Sequence, residues 1–307
     1  MQTLYFKGVP GYEDFVKVEP LDKGLSSDKK YYIETRDNRR LCLRISDAEA
    51  YERKKAKYDM MVRVAALGVP MSKPMGFGIC NDGKSVYQLL SWCDGENLED
   101  ILPTLSEAEQ YAIGVKSGEI LRTIHSLPAP KTAADWHDRY TGVLNERIQA
   151  FLDSGVRFDG WEIIMQYYEN NLHLLKGRPQ SYLHGDFHAG NLLLSGKELS
   201  VIDWELLDFD GYGDPWTDFR SDICTVSPHY ITGQIRGYWG GEPPTDFWPL
   251  FTFYIAAGEI TAIPWAYYMY KDLLDSIIER NINVLRRFDN MKNPVPTWYL
   301  RHYDAKS

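Results

Sequence analysis

Two short segments restrict the fold of this chain more than any other part of its sequence. The first reads HGDFHAGN (184–191), and the second reads LSVIDWE (199–205). The two glycines of the first segment favour a loop over a helix. The apolar runs NLLL and LSVI, separated by a short connection, predict a hairpin. We therefore expect Asp186 in a loop, with Asn191 and Asp203 on either side of the hairpin.

The three polar residues of these segments suit phosphoryl transfer. Asn191 and Asp203 offer amide and carboxylate oxygens, which are ligands for a hard cation such as Mg²⁺. Such an ion bridges the phosphates of a nucleotide and offsets the charge that develops during transfer. Asp186 is then left to accept or orient the proton of an attacking hydroxyl.

Two other interpretations concern the histidines of the first segment. His184 and His188 are four residues apart, as in helical zinc sites, so a metallohydrolase is one alternative. The glycines oppose a helix, however, and further histidine or cysteine ligands at suitable spacing are missing from the sequence. For His184 alone, a hydrogen bond to the loop backbone is the favoured explanation. Neither interpretation accounts for Asp203, which favours magnesium carried with a nucleotide.

Together, HGDFHAGN and the later IDW resemble the aminoglycoside phosphotransferase family, whose pattern is H-G-D-x-H-x-x-N followed by I-D-[WF]. Members are small-molecule kinases with a protein-kinase-like fold, and this chain has every fixed position of the pattern. The resemblance implies that Asp186 is the catalytic aspartate and that Asn191 and Asp203 are the metal ligands. The segments GDPW and NPVPTWY are similar to those of members from Gram-positive bacteria with unassigned substrates.

The resemblance also implies a basic residue that binds the nucleotide phosphates. The strand LCLR alternates like the V-A-I-K strand of kinases, with Cys42 and Arg44 on the nucleotide side. Arginine replaces the usual lysine here, and it can pair bidentately with phosphate; a surface arginine on an edge strand is the alternative. On the following helix, Asp59 is near the family spacing for the acid that holds this residue, and Glu52 is the second candidate.

Two further nucleotide contacts are expected in the same region. The turn DKGLSSDKKYY lies where a nucleotide-covering loop is expected, so Ser26 and Ser27 are candidates to meet phosphate through their backbone N–H groups. An ordinary hairpin explains that turn equally well. The segment LLSWCDG matches the hinge between kinase lobes, where the backbones of Ser91 and Cys93 would hydrogen-bond the purine. ATP is the expected nucleotide, and GTP is the alternative.

Acidic residues directly after Asp203 are candidates for the acceptor site. Glu205, Asp208 and Asp210 would form a group of acids that suits a cationic acceptor such as an aminoglycoside. Asp214 precedes a proline, which is typical of the start of a helix. The aromatic residues of the last third are expected mainly in the core of a helical lobe.

Hydrophobic patterns and the resemblance together predict an α+β, bilobal, protein-kinase-like fold. Residues 1–93 show alternating strand patterns and one helix over 47–69, and they form the expected nucleotide-binding lobe. Residues 94–307 are mainly helical and form the expected catalytic and substrate-binding lobe. Their most apolar stretch, residues 249–270, contains a glutamate and Pro264. We interpret it as a buried helix pair and not as a membrane span.

Composition disfavours several other classes of protein. The net charge of −9 opposes a sequence-independent grip on nucleic acid, which needs a basic face. The four cysteines are far apart and are expected to be free thiols in a reducing compartment. The first residues lack the charged start and apolar core of a secretory signal. We therefore expect a cytoplasmic protein without a nucleic-acid or membrane partner.

The sequence thus predicts a Mg²⁺-dependent phosphotransferase that moves the γ-phosphate of ATP or GTP to a hydroxyl of a small molecule. An aminoglycoside acceptor, with a role in antibiotic resistance, is one candidate. A macrolide, a sugar or a choline-like molecule is another. A nucleotide-binding family member with weak catalysis is a further alternative. A protein kinase is disfavoured, because no activation segment with an A-P-E-like anchor follows IDWE.

Overall fold

A computed structural model describes residues 6–21, 28–206, 209–220, 227–301 and 303. Three predicted site residues lie outside these ranges: Ser26, Ser27 and Asp208. The chain forms two compact units. The first comprises Met1–Asn97 and Asn191–Glu205, and the second comprises Leu98–Gly190 and Leu206–Ser307.

The first unit is built on a five-stranded antiparallel sheet. Its strands are β1 (Phe15–Pro20), β2 (Lys29–Thr35), β3 (Arg40–Asp47), β4 (Pro74–Cys80) and β5 (Ser85–Ser91), in the spatial order β1-β2-β3-β5-β4. Leu41, Leu43 and Ile45 alternate along β3 and belong to the buried core on one face of the sheet. Cys42 and Arg44 therefore lie on the opposite face.

Helix α1 (Tyr51–Ala65) packs against β4 and β5. It is shorter than the helix predicted over 47–69, because β3 continues as far as Asp47 before the chain turns into the helix. The helix buries Lys54 and Lys57 together with its apolar residues. Lysine is seldom buried without a partner, so both side chains need nearby carboxylates.

The first unit also includes a hairpin from much later in the chain. It follows β6 (Glu96–Asn97) in sequence and consists of β7 (Leu192–Ser195) and β8 (Glu198–Val201). β7 pairs with both β6 and β8, and the end of β8 forms a bridge to Met71. The boundary predicted after residue 93 had placed this hairpin in the C-terminal lobe. Its strand pairing explains why it belongs to the first unit instead.

The second unit is mainly helical. Its helices are α2 (Leu98–Ile101), α3 (Glu107–His125), α4 (Trp136–Ser154), α5 (Trp161–Asn171), α6 (Pro228–Trp239), α7 (Phe247–Met269) and α8 (Leu274–Arg287). A short antiparallel pair joins Ser181–Tyr182 to Tyr212–Gly213. Helix α3 begins with a capping box, in which Ser106 and Glu109 exchange hydrogen bonds. A strand-rich first unit and a helical second unit confirm the predicted α+β class.

Helix α7 corrects the prediction of a helix pair over 249–270. It is one helix, and it continues through Pro264. A proline inside a helix costs about 3 kcal/mol, but most of α7 up to Ala266 is buried, and this packing outweighs the cost. No helix in the described part of the chain has the length and apolar character needed to cross a membrane.

Helices α3 and α6 approach each other closely through glycines. A Cβ atom on Gly114 or Gly118 of α3 would overlap the backbone of α6, and one on Gly233 or Gly237 would overlap the backbone of α3. Only glycine permits backbones to come this near. Because α3 ends at His125, the contact also determines where that histidine lies.

Candidate active site

The loop that follows Ser181–Tyr182 places Asp186 in the wall of a cavity in the second unit. The cavity has a volume of about 610 Å³ and is lined by this loop and by residues of α4, α7 and α8. Gly185 and His188 lie in the wall beside Asp186. The side chain of Asp186 is 46% exposed, so its carboxylate is accessible to a bound molecule.

His188 orients the carboxylate of Asp186. Its Nε2 atom lies 3.3 Å from Oδ2 of Asp186, and its Nδ1 atom accepts the N–H of Gly190 at 3.1 Å. Because Nδ1 is an acceptor, the proton of the neutral ring is on Nε2 and faces Asp186. A Cβ atom on Gly190 would lie 2.7 Å from the ring, so glycine leaves the room that this arrangement needs.

His184 has a structural place in the same loop. Its side chain is completely buried, and Nδ1 accepts the N–H of Asp186 at 3.2 Å. This is the predicted hydrogen bond to the loop backbone. Because one ring nitrogen is engaged and the ring is enclosed, the geometry opposes a zinc site formed by His184 and His188.

Asp218 anchors the loop, and sequence reasoning did not assign it this role. Its carboxylate accepts the N–H groups of His184 and Gly185 at 2.9 and 3.0 Å. His125 contacts the same carboxylate at 3.0 Å through Nε2 and the hydroxyl of Tyr238 at 3.1 Å through Nδ1. The only signal in the sequence is the aromatic setting of the segment WTDF, which is unusual for a surface aspartate.

Arg44 joins two carboxylates within the first unit. Its Nη1 atom donates to Asp203 at 2.5 Å, and its Nε atom donates to Asp28 at 3.1 Å. The side chain is only 5% exposed, so the alternative of a surface arginine is wrong. Burial opposes the charge of Arg44, but attraction to Asp203 and Asp28 outweighs burial and raises its pKa.

Asp28, and not Asp59, is the acid that holds Arg44. Asp59 is half exposed and pairs with Lys55 one turn earlier on α1, so it belongs to the solvated face of the helix. Asp28 is buried and also accepts from Lys54 at 2.6 Å. Burial disfavours its ionised form, but the hydrogen bond from Lys54 and the charge of Arg44 help to lower its pKa to about 2.

Three basic side chains surround the end of β8, and we call Lys30, Arg44 and Lys57 the basic cluster. Lys30 lies 3.2 Å from Asp203, and Lys57 lies 2.9 Å from Glu205. Burial acts against ionisation of Asp203, but the attraction of Arg44 and Lys30 holds its pKa well below the ordinary value. Burial lowers the pKa of Lys57 to about 8. Each of these cations thus faces a carboxylate, and together they form a network of ion pairs at the end of β8.

Asn191 and Asp203 emerge at the same end of the hairpin. The carbonyl of Asn191 accepts the N–H of Ile202 at 3.0 Å, next to the pairing of the first residue of β7 with the last of β8. Asp203 has a φ of 57°, a left-handed conformation that few non-glycine residues adopt. An amide oxygen and an ionised carboxylate are the kinds of ligand that Mg²⁺ takes.

The predicted hinge residues follow β5. The N–H of Ser91 donates to the carbonyl of Lys73 at 2.8 Å, so the backbone group that Ser91 can offer to a purine is its carbonyl oxygen. Cys93 is partly buried in the same unit.

Of the acids predicted for the acceptor site, Glu205 and Asp210 do not line the cavity, and Asp208 lies outside the described residues. Glu205 contacts the basic cluster in the first unit. Asp210 is 81% exposed and lies 3.9 Å from Arg139. Neither residue therefore lies beside Asp186 in the cavity wall. Asp214 accepts the N–H of Trp216 at 2.9 Å and caps the short helix that follows, as expected.

A comparison with protein families finds that residues 17–248 match the family described as "Phosphotransferase enzyme family". Among curated proteins, mouse (Mus musculus) acyl-CoA dehydrogenase family member 10 is 28% identical over 235 residues, which cover 70% of this chain and 21% of that protein. Mouse family member 11 is 27% identical over 165 residues, which cover 50% and 20%. The matched regions thus span about a fifth of the length of these relatives.

Solved structures share the fold at low sequence identity. A choline/ethanolamine kinase family protein from Mesorhizobium loti has a TM-score of 0.65 at 16% identity, covering 94% of both chains. An ADP-bound aminoglycoside phosphotransferase has a TM-score of 0.61 at 15% identity, covering 90% of this chain and 97% of that one. An amicoumacin kinase in complex with AMP-PNP has a TM-score of 0.62 at 13% identity, covering 98% and 94%. These likenesses confirm the predicted kinase-like fold.

Proposed function

Because this chain belongs to the phosphotransferase enzyme family, we propose that it transfers the γ-phosphate of ATP to a hydroxyl of a small molecule, with GTP as the alternative nucleotide. One observation carries the proposal. Asp186 presents an accessible carboxylate in the wall of a cavity of about 610 Å³, and His188 orients that carboxylate. A cavity of this size suits a small molecule.

Asp186 acts on the acceptor hydroxyl. As the hydroxyl oxygen forms a bond to the γ-phosphorus, the bond from that phosphorus to the β–γ bridging oxygen breaks, and ADP leaves with the electron pair. The hydroxyl proton passes to the carboxylate of Asp186. The N–H on Nε2 of His188 faces Oδ2 and limits the rotation of the carboxylate that meets the hydroxyl.

The first unit supplies the groups that bind the nucleotide. Asn191 and Asp203 would hold Mg²⁺, which supplies charge neutralisation to the phosphates when it is bound. Arg44 and the rest of the basic cluster bind phosphate oxygens. The backbones of Ser91 and Cys93 contact the purine. The roles of Ser26 and Ser27 in covering the phosphates stay predictions, because both residues lie outside the described ranges.

A cytoplasmic location completes the proposal. Cys42, Cys80 and Cys93 are free thiols, which supports a reducing compartment. Such a compartment also supplies the nucleoside triphosphate.

The test is an assay of the purified protein with Mg·ATP or Mg·GTP against a panel of hydroxylated small molecules, with products identified by mass. We expect a mass increase of one phosphate on at least one acceptor, which is lost when EDTA removes the metal and in Asp186→Asn. Full activity of Asp186→Asn would contradict the proposed role of this residue. Phosphate on a protein substrate alone would favour a protein kinase. Nucleotide binding without turnover of any acceptor would favour a non-catalytic family member.

A further inference from the structure

The cavity beside Asp186 has a wall that does not suit a polycationic acceptor. Among the described residues that line it, the ionic side chains other than Asp186 are Arg147, Glu259 and Arg280. Together with Asp186, the wall has two arginines and two carboxylates, so it offers a polycation no excess of negative charge. Amino groups would be repelled by the two arginines, whereas an anionic group would be attracted to them.

Arg280 is held in a way that prepares it to bind a carboxylate. Its Nε atom donates to Oε2 of Glu259 at 2.5 Å, and the side chain of Glu259 is only 10% exposed. This contact fixes the plane of the guanidinium. The Nη1 and Nη2 groups of Arg280 make no hydrogen bond within the described part of the chain, and the side chain is 35% exposed. Two parallel N–H donors on a fixed guanidinium match the two oxygens of a carboxylate.

The remaining wall is largely apolar and continues to the protein surface. Pro264 and Trp265 of α7 line the cavity together with Tyr268 and Met269 at the end of that helix. Trp265, Tyr268 and Met269 are 40%, 57% and 67% exposed. Large apolar side chains that are grouped together and exposed often mark a binding surface. An acceptor with an apolar body would cover them.

From this wall we infer that the acceptor is an amphipathic hydroxy acid. Its hydroxyl meets Asp186, its carboxylate meets the Nη groups of Arg280 with Arg147 nearby in the wall, and its alkyl or aryl body lies against the end of α7. This inference rests on the proposed function, since it names the substrate class of the same cavity. The product is a phosphate ester of the hydroxyl, and the carboxylate is unchanged.

The experiment compares three acceptors that share one phenyl-bearing hydroxyalkyl skeleton and differ only in the terminal group. They are the carboxylic acid, its primary amide and the corresponding amine, and an aminoglycoside such as kanamycin serves as a fourth acceptor. Values of kcat and KM are measured for each with saturating Mg·ATP. Treatment of the product with hydroxylamine distinguishes a phosphate ester from an acyl phosphate, because only the acyl phosphate reacts.

We expect kcat/KM for the acid to exceed that for the amide by about tenfold or more, since a hydrogen-bonded charge pair is lost in the amide. The amine and kanamycin should be poorer still. In Arg280→Gln the advantage of the acid over the amide should disappear, mainly through KM, while turnover of the amide changes little. Arg286→Gln is the matched control, because Arg286 lies on the same helix, is exposed and contacts Asn283.

Arg280→Gln leaves Glu259 without this partner, so the double variant Glu259→Gln, Arg280→Gln protects the test against misfolding. It should lose the preference for the acid in the same way. Preference for the amine or kanamycin in the wild type, or an unchanged acid-to-amide ratio in a folded Arg280 variant, would overturn the inference and leave the proposed function in place. Absence of phosphate transfer to all acceptors would overturn both.

Discussion

Nε2 of His188 lies 3.3 Å from Oδ2 of Asp186, and the other nitrogen of the same ring accepts a backbone N–H of the loop. The ring therefore connects the proposed base to the loop backbone in one tautomer. In this arrangement Asp186 acts on the hydroxyl, and His188 is a positioning residue that limits the rotation of the carboxylate. The two residues should differ in what their substitution does to kinetics.

Asp186→Asn should lower kcat by about a hundredfold or more, because a positioned general base contributes on this order. His188→Gln should lower kcat by about tenfold, with a smaller effect on KM, since the base is still present but less well oriented. Steady-state kinetics with one accepted substrate measure both effects.

The control is His137→Gln on α4, because the ring of His137 contacts Asp138 and is not part of the cavity wall. Its activity should equal that of the wild type. If His188→Gln were as inactive as Asp186→Asn, or fully active, a positioning role for His188 would not hold.

The left-handed backbone of Asp203 makes substitutions there informative about strain. Asp203→Ala and Asp203→Gly both remove the carboxylate, and both should lose Mg²⁺-dependent transfer. Alanine at a φ of 57° should cost about 1 kcal/mol that glycine does not. Urea unfolding should therefore find the glycine variant the more stable of the two, which is the reverse of the usual order within a helix. Equal stability of the two variants would remove the evidence for strain at this position.

Arg44→Lys restores the residue that is usual in kinases, yet it should impair this protein. Arginine reaches Asp28 and Asp203 at once, and a lysine ammonium is a single point charge on a flexible stem. We expect the free energy of unfolding to fall by about 1 to 3 kcal/mol and KM for the nucleotide to rise.

Arg40→Lys on the same strand is the matched control for Arg44→Lys. Arg40 pairs with Asp94 at the surface, where both side chains are about half exposed, so its replacement should leave stability almost unchanged. Equal effects of the two substitutions would show that bridging by Arg44 has no special importance.

The local structure around the three residues of the proposed site was predictable because they are close in sequence. Asp186, Asn191 and Asp203 have a spacing that only a loop and a hairpin can satisfy, and local turn chemistry determines both. The strands β2, β3 and β5 were predictable for a similar reason, since their side chains alternate against one core.

The partners of these residues were not predictable in the same way. Asp28 and Asp218 act through burial and through contacts with residues far away in the chain, and neither has a local pattern that reveals this. Lys57 is an intermediate case. Its spacing to Met61 and Val64 is that of one helix face, so its burial could have been inferred, but the identity of its partner Glu205 could not.

Measurements of the free energy of unfolding at acidic pH should test the contribution of the buried ion pairs of Asp28. Folding lowers the pKa of Asp28 from 3.8 to about 2, so its contribution to stability is complete above pH 3.8 and is lost as the pH falls through about 2. The shift corresponds to about 2 kcal/mol. Urea unfolding over this window should show a smaller loss of stability in Asp28→Asn than in the wild type.

At neutral pH the same variant should be less stable by about 3 to 5 kcal/mol, because Arg44 and Lys54 would remain buried without their shared carboxylate. Asp59→Asn is the control, since its solvent-exposed pair with Lys55 should contribute little to stability. If stability depended on pH in Asp28→Asn as it does in the wild type, carboxylates other than Asp28 would be responsible for that dependence.

The glycine contact between α3 and α6 should influence catalysis from a distance. A Cβ atom on Gly118 would overlap the carbonyl of Gln234 and lie 2.6 Å from the backbone nitrogen of Tyr238. Gly118→Ala should therefore force the helices apart and lower the free energy of unfolding by about 1 to 3 kcal/mol. Because Tyr238 and His125 hold Asp218 in position, we also expect a lower kcat.

Gly142→Ala on α4 separates this effect from the general effect of adding a methyl group to a helix. No atom lies within 4 Å of a Cβ atom at Gly142, so alanine there should stabilise the protein by about 0.5 to 1 kcal/mol through its helix propensity and leave kcat unchanged. Thermal or urea unfolding should show a lower free energy of unfolding for Gly118→Ala and a higher one for Gly142→Ala than for the wild type. If Gly118→Ala were instead as stable and as active as Gly142→Ala, the close approach of α3 and α6 would not be what positions Asp218 beneath the loop of Asp186.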